Sequence, residues 1–453
     1  MEVGEVKERD KFNSSFGMIA ASIGSAVGLA NIWRFPYITG IYGGGAFIIL
    51  YLGVVILLGL GLMCVEMVIG RRGEGDGVQS FKNLAPGKKW YFSGVCGIVA
   101  SFMIMCYYPV VAGWVMEYIV RSGTGVFEGQ TTMQLKDMFY EFMNSPIKPI
   151  LWTVVFMILT TGVVLMGVQK GIERISAIII PLLIVIVIIL DIRALTLPNA
   201  KEGIGFLLKP NWSLITPKAV FIAMGHAFFS LSIGLSILTT YGSYMVKKEN
   251  IVKSCIIIAA SDTGIALLAG LAIFPAVFSF GLEPGEGVGL VFVTLPNVFA
   301  SMTAGRLFGM FFFLLLALAG LTSTISLLEP AVAYLVETRK ISRTKSALTV
   351  GVAMTLLCIL SSLSNGPMPQ LSIFGMTFFD IFDYVTTNYL LAIAAIIEVV
   401  FIGWFYPKED FIDEITNGGK IAIPGMKVYF NTIIKFFMPA AMILIFLSSF
   451  GIF

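Results

Sequence analysis

Apolar runs about as long as a bilayer-spanning helix recur along almost the whole chain, and this feature decides most of what it can fold into. Windows of 18 or more mostly apolar residues cover roughly 14 to 37, 46 to 70, 91 to 120, 149 to 167, 172 to 192, 218 to 245, 251 to 281, 306 to 336, 345 to 363, 377 to 405 and 429 to 453. Eleven crossings are therefore expected, joined by short polar connections. Only 13 % of the 453 residues are charged and 57 % are apolar, whereas a soluble protein carries about 25 % charged residues. The expectation is an all-α polytopic protein lying in a lipid bilayer, with one transmembrane domain over residues 1–453.

Several function classes lack their chemistry. A single histidine, His226, excludes an HExxH metal site, and neither GxSG nor a P-loop occurs, so the chain is not expected to be an enzyme or a primary pump. Cys64, Cys96, Cys106, Cys255 and Cys358 all lie in apolar runs and read as small core residues without disulfide or metal spacing. A net charge of +3 singles out no partner, and none of nucleic-acid type is expected. The opening "MEVGEVKERDKF" mixes acids with bases and has no small-residue cleavage site, so no signal peptide is expected. With the N-terminus in the cytoplasm, inside loops hold Arg71, Arg72, Lys88, Lys89, Lys247, Lys248, Arg339 and Lys340. The outside stretches 38 to 45 and 364 to 376 hold no Lys or Arg. The positive-inside rule favours that orientation, which with eleven spans places the C-terminus outside.

Spans one and six are interrupted near mid-length, by "GSAVG" (Gly24 to Gly28) and by "FFSLSIG" (Phe228 to Gly234). Five-span spacing between the breaks implies two repeats of opposite topology, about 12–194 and 218–405, followed by an extra helix at about 429–453. "GSAVG" also matches GxxxG, so helix packing through small residues stands as the alternative for that segment taken alone. A helix interrupted in hydrocarbon leaves carbonyls and amides that need partners. Carbonyls at the end of the first half suit a hard monovalent cation, while the amides of Leu29 and Ala30 suit a carboxylate. A ligand with both an ammonium and a carboxylate would use both, which points to an α-amino acid.

Side chains at helical spacing extend the site. Asn31 lies two turns after Gly24 and can aim its amide oxygen back at the break. Ser230 and Ser232 line the second break. Thr322 and Ser323 in "AGLTST" either face the site or bond back to their own helix. Asp262 lies in the seventh span, where a charge at the membrane centre costs about 2.5 to 3.5 kcal/mol and marks function by default; the alternative is an interfacial position in contact with water.

Together "GSAVGLANIWRFP", "GGGAF" (Gly43 to Phe47), Tyr107–Tyr108, "FFSLSIG" and "AGLTS" resemble the signature segments of the neurotransmitter:sodium symporter family, in particular its bacterial amino acid transporters. The resemblance runs from Phe12 onward. It implies the leucine-transporter-like fold, a 5+5 inverted repeat with broken helices one and six, and two sodium ions. Sodium one would use Ala26, Asn31, Ser230 and Asp262 with the substrate carboxylate; sodium two would use Gly24, Val27, Ala319, Thr322 and Ser323. The substrate would meet Ser25, Ala26, Leu29, Ala30, Ile104, Tyr108, Phe229, Ser230, Ser232, Leu235, Ser323 and Leu327. Arg34 would pair with Asp383 as the outer gate, and Arg9, Tyr244 and Glu337 would close the cytoplasmic side. For Arg34 alone, a snorkelling interfacial arginine is the alternative.

The implied function is sodium-coupled symport of a neutral, large hydrophobic or aromatic amino acid into the cell; a sensor or a channel that keeps the same site is the alternative. The implied location is the bacterial inner (plasma) membrane, as a monomer or homodimer. Four positions depart from the family pattern. Phe12 replaces a tryptophan at the cytoplasmic latch, Ala30 replaces a glycine, and His226 replaces a glutamine beside the outer gate. Asp262 replaces an asparagine and implies that no chloride is needed. His226 reads either as a packing residue or as a sensor of outside pH acting against Arg34.

Overall fold

The computed structural model describes residues 11–281 and 289–450. Among them, nine helices are long and apolar enough to cross a membrane, and the bent pair Ser15–Ala26 and Ala30–Ile41 makes a tenth span. A second interrupted pair, Pro217–Ser230 and Ile237–Tyr244, occupies the sixth expected position. Each of its halves is shorter than the roughly 20 residues a crossing needs. In chain order the other spans are two (Gly45–Gly73), three (Lys89–Thr124), four (Lys148–Leu165), five (Val168–Leu195), seven (Ile251–Ser279), eight (Gly305–Glu337), nine (Arg343–Ser364), ten (Phe378–Phe405) and eleven (Met426–Ser448). Arg9, expected at the cytoplasmic closure, lies outside the described residues.

Local chemistry explains where spans start and bend. Ser14 caps span one by accepting from the Gly17 amide, and Glu173, at the start of span five, accepts from the Asn13 and Ser14 amides and the Ser14 hydroxyl at 2.8, 3.1 and 2.7 Å. These bonds satisfy amides that a helix start leaves open. Span three is interrupted by a turn at residues 105–107 and resumes at Tyr108, with Pro109 in the first helical turn where its missing N–H costs nothing. The only strands among the described residues form a two-by-two hairpin, Ser372–Ile373 with Met376–Thr377.

One buried apolar cluster runs from Phe12 to Met442 and takes in residues of every span. Large exposed apolar side chains such as Ile158, Ile192, Leu356 and Trp404 remain on the outer faces of the helices, as lipid contact allows. Between spans, association rests on close packing because lipid removes the hydrophobic drive. Spans two and six show this where Gly70 meets the backbone of the second half of span six: a Cβ there would lie 1.9 Å from the Thr239 carbonyl oxygen. Gly53, on the same span, has no atom within 4 Å of such a Cβ.

Gly70→Ala is therefore expected to destabilise the detergent-solubilised protein by about 1–3 kcal/mol, the usual cost of overpacking. Gly53→Ala should be neutral or slightly stabilising, since alanine is the better helix former. Thermal unfolding of the two variants side by side checks this; equal melting temperatures would refute the packing assignment.

Candidate functional site

The first break is short. Span one leaves the helix at Val27, whose backbone is extended (φ −74°, ψ 106°), and after Gly28 it resumes through one π-helical turn at Ala30–Arg34, bent by 52°. Both readings of "GSAVG" hold together in the structure. A Cβ on Gly24 would lie 2.8 Å from Thr322 Cβ, so this glycine is what lets span eight pack against the break. At Gly28 a Cβ would lie 2.7 Å from Ser323 Oγ and 2.8 Å from the Tyr108 hydroxyl.

Several of the groups released by the break find partners. Asn31 Oδ1 accepts from the Gly28 amide at 2.9 Å, so its oxygen does turn back to the break. The Leu29 amide donates to the Tyr108 hydroxyl at 2.8 Å. The Ser323 hydroxyl faces the Gly24 and Val27 carbonyls at 3.3 and 3.2 Å, and Thr322 Oγ1 donates to the Ala319 carbonyl at 3.0 Å. Ser323 thus faces two carbonyls of span one, whereas the Thr322 hydroxyl bonds back to the Leu318 and Ala319 carbonyls of its own helix. Neutral oxygens of this kind suit a hard cation.

Asp262 is the centre of the second cluster and is fully buried, which removes the interfacial reading. Its Oδ1 accepts from Asn31 Nδ2 at 2.6 Å and from Ser230 Oγ at 2.8 Å, and its Oδ2 accepts from the Tyr51 hydroxyl at 3.2 Å. Spans one, two, six and seven therefore meet at one carboxylate. Ser25 and Ser232 join the two breaks directly, hydroxyl to hydroxyl at 2.9 Å, and Ser232 Oγ donates to the Ser25 carbonyl at 3.0 Å. Ala26, Ile104, Leu235 and Leu327 lie buried in the surrounding core.

Above the first break a cavity of about 360 Å³ is lined by Leu29, Ala30, Trp33, Arg34, Tyr37, Tyr107, Tyr108, Val111, Phe229, Phe379 and Asp383. Arg34 and Asp383 face this cavity together, yet no ion pair joins them. Arg34 instead lies over the Phe229 ring, 5.6 Å from its centroid, and Asp383 accepts from the Tyr107 hydroxyl at 2.8 Å. His226 does not line the cavity. It is 1 % exposed, packed against the rings of Phe35 and Tyr51, and neither ring nitrogen has a hydrogen-bond partner among the described residues. That environment belongs to a packing residue.

The opposite end is closed. Phe12 packs edge-on against Tyr241 and Tyr244, and its amide donates to the Tyr244 carbonyl at 3.1 Å, so phenylalanine fills the latch position. Tyr244 Oη donates to Glu329 Oε1 at 2.9 Å, and Arg343 binds both oxygens of that fully buried carboxylate at 3.0 and 2.6 Å. Glu337 accepts from the Asp76 amide at 2.6 Å. Sequence reasoning missed Glu329 and Arg343, although Glu329 interrupts an apolar run just as Asp262 does. It also missed Tyr107, the partner of Asp383.

A helical membrane protein with two broken spans enclosing oxygen-rich clusters is the architecture of a secondary transporter. The family model of the sodium:neurotransmitter symporter family matches residues 9–134 and 134–453, and the chain belongs to that family. It is 39 % identical to the sodium-dependent transporter YhdH of Bacillus subtilis over 97 % of both chains. It is 28 % identical to the sodium- and chloride-dependent creatine transporter 1 of Bos taurus, over 90 % of this chain and 72 % of that one. The crystal structure of MhsT in complex with L-phenylalanine superposes with a TM-score of 0.89 at 41 % identity, covering 97 % of this chain and all of that one. The fold is thus the leucine-transporter-like fold, and the chain is a transporter rather than an enzyme.

Removing one partner of a buried ion pair costs about 3–5 kcal/mol. Glu329→Ala should lower thermal stability by that order and raise labelling, from the closed end, of a cysteine introduced at Ser243. The assignment of Glu329 to the closure fails if stability and labelling both match the parent. His226→Gln should leave the pH profile of ligand binding unchanged, and a displaced profile would restore the sensor reading.

Proposed function

We propose that the chain carries a neutral, large hydrophobic or aromatic amino acid into the cell together with sodium, by alternating access. The observation that carries this reading is the convergence of both breaks on Asp262, Asn31 and Ser230, beside the cavity that reaches Leu29 and Ala30. Sodium one would lie among Ala26, Asn31, Ser230 and Asp262 and be completed by the substrate carboxylate, so neither binds well alone. Turning the Asn31 amide about its last bond exchanges its donor edge for the oxygen that a cation needs. Sodium two would replace the hydroxyl protons that now sit among Gly24, Val27, Ala319, Thr322 and Ser323.

The amino acid's carboxylate would face the Leu29 and Ala30 amides and the Tyr108 hydroxyl. Its ammonium would meet carbonyls of Ala26, Phe229 and Ser230 and the side chain of Ser232. Ser25, Ile104, Leu235, Ser323 and Leu327 would enclose the side chain. A cavity of about 360 Å³ lies in the range of small-molecule sites. The L-phenylalanine bound by MhsT supports an aromatic substrate.

Asp262 places a fixed negative charge beside two cations, so no chloride is required. In this orientation the open cavity between Arg34 and Asp383 faces outward, and Phe12, Tyr244 and Glu337, with Arg9, close the cytoplasmic side. Transport would bring Arg34 and Asp383 together over the substrate and then part the cytoplasmic contacts. The chain would lie in the bacterial inner membrane with its N-terminus inside and its C-terminus outside. The two repeats would each supply one broken helix.

Reconstituted vesicles loaded with potassium should take up labelled phenylalanine, tyrosine or tryptophan only under an inward sodium gradient, with or without chloride. Asp262→Asn should weaken sodium activation about 10- to 100-fold, the scale of losing hydrogen bonds to a buried charge. Uptake that persists after the sodium gradient is collapsed would overturn symport, and a requirement for chloride would overturn the role of Asp262.

A further inference from the structure

A second cavity, of about 770 Å³, opens where the end of span three, the helix Thr132–Met143 and the start of span four meet, at the same end of the molecule as the Arg34–Asp383 cavity. Its volume is in the range of small-molecule sites. The inner wall is a fixed ion pair. Arg121 Nε donates to Glu117 Oε1 at 2.8 Å and Nη1 to the Met138 carbonyl at 3.2 Å, while Trp152 Nε1 donates to Glu117 Oε2 at 2.6 Å. The guanidinium also lies over the Phe142 and Tyr118 rings, 5.2 and 5.7 Å from their centroids. Both charged side chains are only 15 % exposed, so this wall is held in place from several sides.

The rim carries a second pair of opposite charges that are not joined. Glu141, in the last turn of the helix Thr132–Met143, and Lys148, the first residue of span four, both line the cavity, together with Asn144 and Ser145. Both are exposed, and among the described residues neither the Glu141 carboxylate nor the Lys148 ammonium forms an ion pair or a hydrogen bond. Beside this rim the surface turns apolar. Ile147, Leu151 and Ile158 are 71, 57 and 65 % exposed, and their spacing of four and seven residues sets them in one strip down the lipid-facing side of span four. A ligand at the rim therefore has water on one side and the bilayer on the other.

We propose that this cavity holds the headgroup of a membrane phospholipid carrying both a phosphate and a primary ammonium, of phosphatidylethanolamine type, with its acyl chains along the Ile147–Leu151–Ile158 strip. The phosphate binds Lys148, with Arg121 behind it, and the ammonium binds Glu141 and the Asn144 side-chain oxygen. Two acids and two bases line the cavity, so it has no net charge. A purely anionic headgroup would set its phosphate beside two carboxylates without a cation of its own. A quaternary ammonium has no N–H to donate, and the aromatic face that could attract one instead, that of Phe142, is already covered by Arg121. The bound lipid bridges span four to the helix Thr132–Met143. Phe139 of that helix packs edge-on against Trp114, which stacks on Phe379 in the wall of the other cavity, so the lipid steadies that wall from outside.

Mass spectrometry of the intact full chain tests this, after release from micelles carrying matched-chain phosphatidylethanolamine, phosphatidylcholine or phosphatidylglycerol. The outcome depends neither on what the chain transports nor on its orientation in the membrane. The parent should retain one phosphatidylethanolamine about tenfold more tightly than either of the other lipids, the scale of one charge-assisted hydrogen bond. E141K should lose that preference and favour phosphatidylglycerol, and K148E should bind all three weakly. Because both residues are exposed, the variants should melt with the parent when no lipid is added. Phosphatidylethanolamine should then raise the melting temperature of the parent and leave that of K148E where it was. Equal retention of the three lipids by the parent, or an unchanged order of preference in E141K, would overturn the proposal. Soluble glycerophosphoethanolamine should not displace the lipid; displacement at equal concentration would make the free headgroup the ligand and overturn the membrane lipid as occupant.

Discussion

Backbone that leaves the helix inside a bilayer must find its hydrogen-bond partners within the protein, and the two interrupted spans are organised around that requirement. Gly28 and Leu29 present amides that Asn31 and Tyr108 accept, and the Gly24 and Val27 carbonyls face Ser323. In the second break the Gly234 amide goes to Glu66 and the Leu235 carbonyl takes the Ser101 hydroxyl at 2.6 Å. Apart from Asn31, each partner comes from another span, so the breaks fix the packing around them as much as the packing fixes the breaks. A site built this way offers the inward-facing oxygens that the proposed ion sites would use. Its oxygens point inward because there is nowhere else for them to be satisfied.

The same requirement explains why small residues and hydroxyls gather where spans one, six and eight meet. Gly24 brings Thr322 into contact, and the hydroxyls beside it stand where a cation's ligands would be. Close packing and polar chemistry do not compete here. The glycine that allows approach also exposes the carbonyl that is approached.

How much of this was legible in the sequence follows from the range of each signal. The breaks at "GSAVG" and "FFSLSIG", the charge at Asp262 and the reach of Asn31 are local, and the structure brings those residues together. Span ends were less legible, since helices continue past the apolar window, as span three does to Thr124 and span five does from Val168 to Leu195. Glu66, Glu329 and Glu398 interrupt apolar runs just as Asp262 does, so the insertion cost that singled out Asp262 applied to them as well. What no local rule supplies is their partners. Arg343 is in the next span, while Glu66 takes the Gly234 amide in the break of span six and Glu398 the Ser93 hydroxyl of span three.

The two ends of the molecule differ in the kind of closure they use, and that difference bears on how the cycle is balanced. At the cavity end Arg34 and Asp383 rest on separate partners, the Phe229 ring and the Tyr107 hydroxyl. Each can leave its partner for the other without stranding a charge away from water. At the closed end Glu329 holds Arg343 through two bonds and also accepts from Tyr244. Opening there exposes or separates buried charges, and that cost is higher than any a cation–π contact imposes. Free energy to open the closed end therefore has to come from ligands that bind both breaks at once. On the proposed sites, ions and substrate between spans one, six, seven and eight would supply it, because only together would they replace the Asn31, Ser230 and Ser323 contacts that hold those spans as they are.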